Sequence, residues 1–364
     1  MRAAGLSIIV LCRKHPKRAR AERYYRTVID FVPVTHYYLI KQKKLKKMTI
    51  PRNYLEAANK HLDRLMPVLT PLGIVLGFFF SEFFIILRPF VPWLFGLITL
   101  SGALKLRVAE FGSTMRKPLP ILAFFVSAHI VMPLCAVLAA TVFFSAEPDI
   151  VAGYTLLFAG PTAVSGFIWT VMFFGDKALC LTLIILDTLL APLLVPGTVS
   201  LLMGAKVTMD MSGIAISLIL MVVVPTIIGV TLNETSKEKI PAVLCPWLNP
   251  LSKILLMLVI AANTSPVAKI IRLDDPVIWK IAALCVALSV VGFIVSKFAA
   301  GTVRCNTEKT VTLFFGGGLR NISAVTTIAV TFFPEAAALP ALLGIVFQQA
   351  ISAIMGKLML NKSG

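Results

Sequence analysis

Apolar runs separated by short polar or proline-containing breaks recur along the chain and predict ten membrane crossings: 65–87, 91–104, 119–144, 150–174, 178–202, 213–232, 254–267, 277–300, 310–333 and 339–358. About 20 residues are needed to span a hydrocarbon core, so the second and seventh runs are short and must borrow flanking residues or tilt little. Two crossings carry residues that an uninterrupted membrane helix disfavours. The ninth contains FFGGGLRN, from Phe314 to Asn321, and the fourth contains AGPTAVSG, from Ala159 to Gly166. Glycine weakens a helix and arginine is among the costliest residues at that depth, so both helices are expected to be broken, at Gly160 and Pro161 and at Gly316, Gly317 and Gly318. Ten crossings divide into a first repeat, 65–202, and a second, 213–358. An odd number in each half inverts the second, and crossings four and nine then correspond. Matching interruptions in two inverted halves mark a solute site, whereas glycines alone serve close helix packing. The expected fold class is all-α: a polytopic membrane protein of about ten transmembrane helices in two inverted five-helix repeats, with helices four and nine broken and crossing.

Composition agrees, since 58% hydrophobic and 14% charged residues exclude a soluble domain. The net charge of +18 sits mainly in 1–47, where thirteen Lys/Arg face only Glu22 and Asp30. That tail suggests anionic-lipid contact more than nucleic acid, and no nucleic-acid partner is expected. It contributes no crossing, so the working protein is read as 48–364, beginning at Met48. Cytoplasmic loops retain Lys/Arg. An inside amino terminus puts sixteen such residues after Lys47 on the inner face and five on the outer, Arg88, Lys206, Lys269, Arg272 and Lys280. Both termini are therefore expected in the cytoplasm, with the protein in the plasma membrane. Six cysteines are dispersed without CxxC spacing and read as small apolar residues, so no metal site is expected. No HExxH, GxSxG or phosphate loop occurs, and Ser165 or Cys180 with His129 has no catalytic motif behind it. The chain is not read as an enzyme.

Two opposite charges fall at one depth. Asp187 lies ten residues past Lys177 and Arg320 eleven past Lys309, each about halfway through the core at ~1.5 Å per residue. An unpaired charge there costs at least ~2.5 kcal/mol on insertion scales, so a charge pair, Asp187 with Arg320, is expected directly or through water. It serves either as a fixed structural bridge or as the wall of a solute cavity. Thr162, Ser165, Thr188, Asn321, Ser323, Gln348 and Gln349 accompany it. Freed amides after Gly160 and Gly318 would aim positive helix ends at a carboxylate-like solute. His129 is a weaker candidate, because a lone membrane histidine more often bonds a neighbouring helix.

From about Leu65 to Leu358 these residues resemble the bile acid:sodium symporter family. The strongest portion is GPTAVSGFIWTVMFFGDKALCLTLIILDTLLAPLLVP, with Pro161, Trp169, Thr170, Gly175, Ala178, Leu179, Pro192 and Pro196. GGLRNISA is similar to the family's broken ninth helix, and Gln348 and Gln349 fall at a polar pair in its tenth. The resemblance implies a panel and a core domain, alternating access between them, and sodium-coupled uptake of organic anions. The family's sodium ligands align instead with Gly166, Phe167, Cys180, Ile184, Gly316, Arg320 and Ala128. A one-residue shift brings Ser165 into use, but no shift supplies the glutamate; Asn321 is retained.

The resulting expectation is a secondary active transporter of a small or medium organic anion, independent of sodium. Substrate-binding residues are Arg320, Asn321, Thr162, Ser165, Gln348 and Gln349, and no cofactor is expected. Arg320 supplies the fixed positive charge and Asp187 its counter-ion, with exchange uncoupled from any ion. A sodium-coupled, bile-acid-like symporter is the alternative, and a membrane sensor or scaffold is the alternative of another class.

Overall fold

The computed structural model describes residues 52–106, 114–116, 118–204, 210–272 and 274–360. The tail 1–47 and Met48 lie outside the described residues. The chain divides into the compact units Met1–Leu55 and Glu56–Gly364, and the second holds nearly all described helices. They are α1 (Arg52–Phe79), α2 (Ser81–Ala103), α3 (Pro118–Phe143), α4 (Pro148–Ala159), α5 (Gly166–Met172), α6 (Lys177–Met203), α7 (Met211–Ser236), α8 (Lys239–Val267), α9 (Pro276–Thr302), α10 (Thr307–Gly318), α11 (Ile322–Phe332) and α12 (Glu335–Leu360). Among the described residues there is no β-strand, and the protein is all-α.

Seven of these helices, α2, α3, α6, α7, α8, α9 and α12, are long and apolar enough to cross a membrane. Val68–Phe79, Pro148–Ala159 and Ile322–Phe332 are shorter apolar helices. Large apolar side chains point outward, Phe79, Trp93, Leu193 and Leu201 among them, as suits a surface solvated by lipid tails. Inside, one large apolar cluster joins Phe95, Tyr154, Val195, Ile260, Ile281 and Leu342. A smaller aromatic cluster of Phe293, Phe314, Phe315 and Leu319 lies against the second break.

Three boundaries differ from the hydropathy reading. The first apolar run does not end at residue 87, because Phe80 leaves helical geometry (φ −115°, ψ 39°) and Ser81 starts the next helix. The sequence FFFSEFFII is apolar on both sides of that turn, so hydropathy does not reveal it. The short seventh run is the end of α8, which begins at Lys239 and continues through Pro246 and Pro250. Third, α10 stays helical through Gly318, so the second break falls after the glycines.

Close approach is built from small residues. A Cβ on Gly77 would lie 2.3 Å from the Ala261 carbonyl oxygen, and one on Gly73 would lie 2.8 Å from that of Met257. This GxxxG spacing lets the backbone of α1 sit directly on α8.

Candidate functional site

Two helices stop in mid-protein and their ends meet. Gly160 closes α4, its N–H donating to Leu156 O at 3.0 Å, and Pro161 has no N–H with which to continue. On the other side Leu319 turns extended (φ −108°, ψ 128°) after donating to Phe315 O. Asn321 restarts the chain as α11, its Oδ1 accepting from Ala324 N at 3.3 Å. The two extended pieces pair with each other. Ala163 N donates to Leu319 O at 3.2 Å and Asn321 N to Pro161 O at 2.8 Å, around an antiparallel bridge between Thr162 and Arg320. Backbone groups freed by the two breaks thus satisfy one another, as a membrane interior demands.

Side chains lock this crossing. Thr162 Oγ1 donates to Gly316 O at 2.6 Å, tying the first break to the end of α10. The Thr162 N–H donates to Asp187 Oδ2 at 2.6 Å, so a fully buried carboxylate from the middle of α6 caps the crossing. Arg320 is also buried. Its Nη2 donates to Ala128 O at 2.8 Å and its Nη1 to Gly160 O at 3.3 Å, while Nε has no hydrogen-bond partner among the described residues.

The Ala128 carbonyl is free for a reason written in the sequence. Residues 127–131 of α3 form a π-helical stretch in which Met132 N–H reaches back five residues to Ser127 O. The next donor in that register would be residue 133, and Pro133 has no N–H. Ala128 O is therefore left without a helical donor, and the guanidinium takes it. π-bulges of this kind commonly mark functional positions.

Depth suggests an Asp187–Arg320 pair, direct or through water, and the direct contact is not formed. Arg320 reaches across to α3 and to the end of α4, whereas Asp187 turns to Thr162 and to His129. His129 Nε2 lies 2.7 Å from Asp187 Oδ1, with both side chains buried. The approach is close but not aligned as a hydrogen bond, and neither imidazole nitrogen has a hydrogen-bond partner among the described residues. Asp187 still acts on Arg320 electrostatically. The two share a depth, and the angular positions about their helix axes, which depth does not define, separate them.

The other expected residues divide into those at the crossing and those beside it. Gln348 Oε1 on α12 accepts from Arg320 N at 3.3 Å. Gln349 Oε1 accepts from Trp169 Nε1 at 3.1 Å, and Trp169 stacks on Phe315. Asn321 acts through its cap on α11. Ser165 is half-buried at the start of α5 and makes no side-chain cap. Two residues were undervalued or missed by sequence reasoning. His129 was ranked low because its helix register could not be known. Asn263 of α8 donates to Thr327 Oγ1 of α11 at 2.9 Å, and its buried Oδ1 has no hydrogen-bond partner among the described residues. An amide inside the seventh apolar run was its only signal.

The glycine triplet serves close packing, and the break expected at it falls just beyond it. A Cβ on Gly317 would lie 2.2 Å from Ser296 Oγ, and one on Gly318 would lie 2.2 Å from the Phe293 ring, so α10 packs tightly on α9. One residue later the helix breaks.

Helices that stop and pair backbone to backbone inside an apolar bundle, around buried charges, define a membrane transporter. The sequence model of the Sodium Bile acid symporter family matches residues 91–272. The chain is 39% identical over 298 residues to the Uncharacterized protein YbaS of Bacillus subtilis (strain 168), covering 82% of this chain and 97% of that protein. It is 30% identical over 142 residues to the Probable sodium/metabolite cotransporter BASS3, chloroplastic, of Oryza sativa subsp. japonica, covering 39% of this chain and 33% of that protein. A third relative is the Uncharacterized sodium-dependent transporter YocS of Bacillus subtilis (strain 168), 26% identical over 167 residues, 46% of this chain and 51% of that protein. The chain belongs to the sodium bile acid symporter family, a family of transporters.

Proposed function

We propose that this protein is a secondary active transporter of a small or medium organic anion, with alternating access at the crossing of the broken helices and no requirement for sodium. The observation that carries this reading is the buried guanidinium of Arg320 on the carbonyls of Ala128 and Gly160. Converging carbonyls are what a bound alkali cation seeks, and here a covalently attached cation holds two of them. A sodium ion ~4 Å from it would be repelled by several kcal/mol at an effective dielectric near 20. Anionic solutes are further supported by a cavity of about 490 Å³ at the start of α3 and α10, lined by Arg116, Arg304 and Lys309 among others. The ten crossings, two inverted repeats, plasma-membrane location and cytoplasmic termini belong to the same reading.

The names of the BASS3 and YocS relatives favour a second reading, a sodium-coupled symporter. Uptake into proteoliposomes decides between them. With a panel of organic anions outside, replacing sodium by potassium or choline should leave initial rates unchanged. A steep sodium dependence would overturn the first reading and establish the second. Absence of uptake for the whole panel would favour a sensor or scaffold.

A further inference from the structure

Arg320, Asp187 and His129 form a small charged group sealed among helices, and its charge balance can be counted. Guanidinium is cationic at any working pH, and the carboxylate beside it offsets it. With His129 neutral the group carries no net charge. A monoanionic solute arriving at Arg320 would leave one uncompensated negative charge in a poorly screened interior, where unbalanced charge is costly. Among the described residues, the group placed to supply the compensating charge is the imidazole, which becomes cationic on taking up a proton and whose Nε2 already lies 2.7 Å from Asp187 Oδ1. That distance is within ion-pair range, and a small turn of the ring would align it as a charge-assisted N⁺–H···O⁻ bond.

We propose that His129 and Asp187 form a proton-binding site and that one proton enters with each monoanionic solute. The inference rests on the transport reading above and adds the coupling ion to it. The proton adds to the neutral imidazole to give an imidazolium facing the carboxylate, and it leaves the same nitrogen when the solute departs. No other bond changes. Empty and loaded carriers are then equally neutral, so both can cross between inward and outward states.

The surroundings isolate the site. Phe125 stacks on the imidazole at a centroid distance of 5.6 Å and Phe124 meets it edge-on at 6.3 Å. Other titratable groups on the packed helices face elsewhere. Tyr154 donates to Ile281 O, Cys180 contacts Thr170, Cys285 contacts Pro340 O, and Lys297 reaches Met359 O. Among the described residues, Asp187 is the charged group against His129, and Arg320 holds the carbonyl of the preceding residue, Ala128.

The test has two arms on the purified full-length protein. In the first, imidazole-labelled protein is titrated by NMR, and the His129 resonance is assigned by its loss in His129→Gln. It should titrate between about pH 5 and 9 and shift in Asp187→Asn. A resonance unchanged across that range overturns the proton site. In the second, proteoliposomes with a clamped membrane potential are given benzenesulfonate or related sulfonates, which stay anionic throughout and carry no proton themselves. Accumulation should rise about tenfold for each pH unit of inside-alkaline gradient, with matching proton entry reported by an internal dye. His129→Gln should lose that gradient-driven accumulation. Uptake indifferent to the gradient overturns the coupling alone, whereas no uptake of any anion, with the histidine still titrating, overturns the transport reading beneath it.

Discussion

Thr162 and Arg320 face each other as an antiparallel backbone pair, and each then turns its side chain to the other's helix: Thr162 to Gly316 O, Arg320 to Gly160 O. The exchange is reciprocal, so neither break can be described alone. Weakening one contact should loosen both helix ends.

Thr162→Val keeps the shape and the N–H to Asp187 but removes the hydroxyl, leaving Gly316 O buried without its donor. The expected cost is ~1–3 kcal/mol, because the penalty falls on the orphaned carbonyl. A lowered thermal midpoint in detergent, together with reduced uptake, is the expected result. An unchanged midpoint would show that the Gly316 carbonyl finds another partner.

The glycine triplet supplies an internal comparison. Gly317→Ala and Gly318→Ala place a methyl 2.2 Å from Ser296 Oγ and from the Phe293 ring, whereas Gly316→Ala meets Phe124 at 3.4 Å and Leu183 at 3.8 Å, ordinary contact distances. Overpacking typically costs ~1–3 kcal/mol, so the first two variants should yield less folded protein by size-exclusion fluorescence and the third should yield nearly the normal amount. Equal tolerance at all three positions would contradict the close packing of α10 on α9.

Asp187 and Arg320 act on each other without touching. Asp187→Asn preserves an oxygen for Thr162 N but strips Arg320 of its counter-charge, and Arg320→Gln does the reverse. Each single change should cost on the order of 3–5 kcal/mol, and the double change should cost less than the sum. Strict additivity in the cycle would show that their fields do not couple.

Arg320→Lys tests geometry against charge. An ammonium is a point donor and cannot span the Ala128 and Gly160 carbonyls as the forked guanidinium does. Losing one charged hydrogen bond of ~2 kcal/mol corresponds to about thirtyfold in half-saturating anion concentration. Transport by the lysine variant at ordinary affinity would mean that charge alone suffices.

Much of this site was legible in the sequence because the membrane penalises anomalies. Gly160, Pro161, the glycine triplet, Asp187 and Arg320 all stand out against apolar surroundings, and the crossing joins them. What the sequence hides is rotation about a helix axis. The π-helical stretch at 127–131 inserts an extra residue into one turn, re-aiming His129 and freeing Ala128 O. Hydropathy is blind to that shift. It is equally blind to the turn at Phe80, where both flanks are apolar, and it stopped short of the α8 start because Pro246 and Pro250 resemble a break. The GxxxG at Gly73 and Gly77, by contrast, is legible in the sequence as a close-packing signal.

The backbone bonds between the two breaks carry a mechanical consequence. Ala163 N to Leu319 O and Asn321 N to Pro161 O stitch α4, α5, α10 and α11 into one X-shaped lever. Such a lever can tilt as a whole far more easily than it can scissor, since scissoring would strand main-chain groups in hydrocarbon. If access alternates as proposed, the sliding boundary would run where side chains alone make the join. The amide of Asn263 on the hydroxyl of Thr327 is such a join, a side-chain hydrogen bond between α8 and α11 whose parting would unwind no helix.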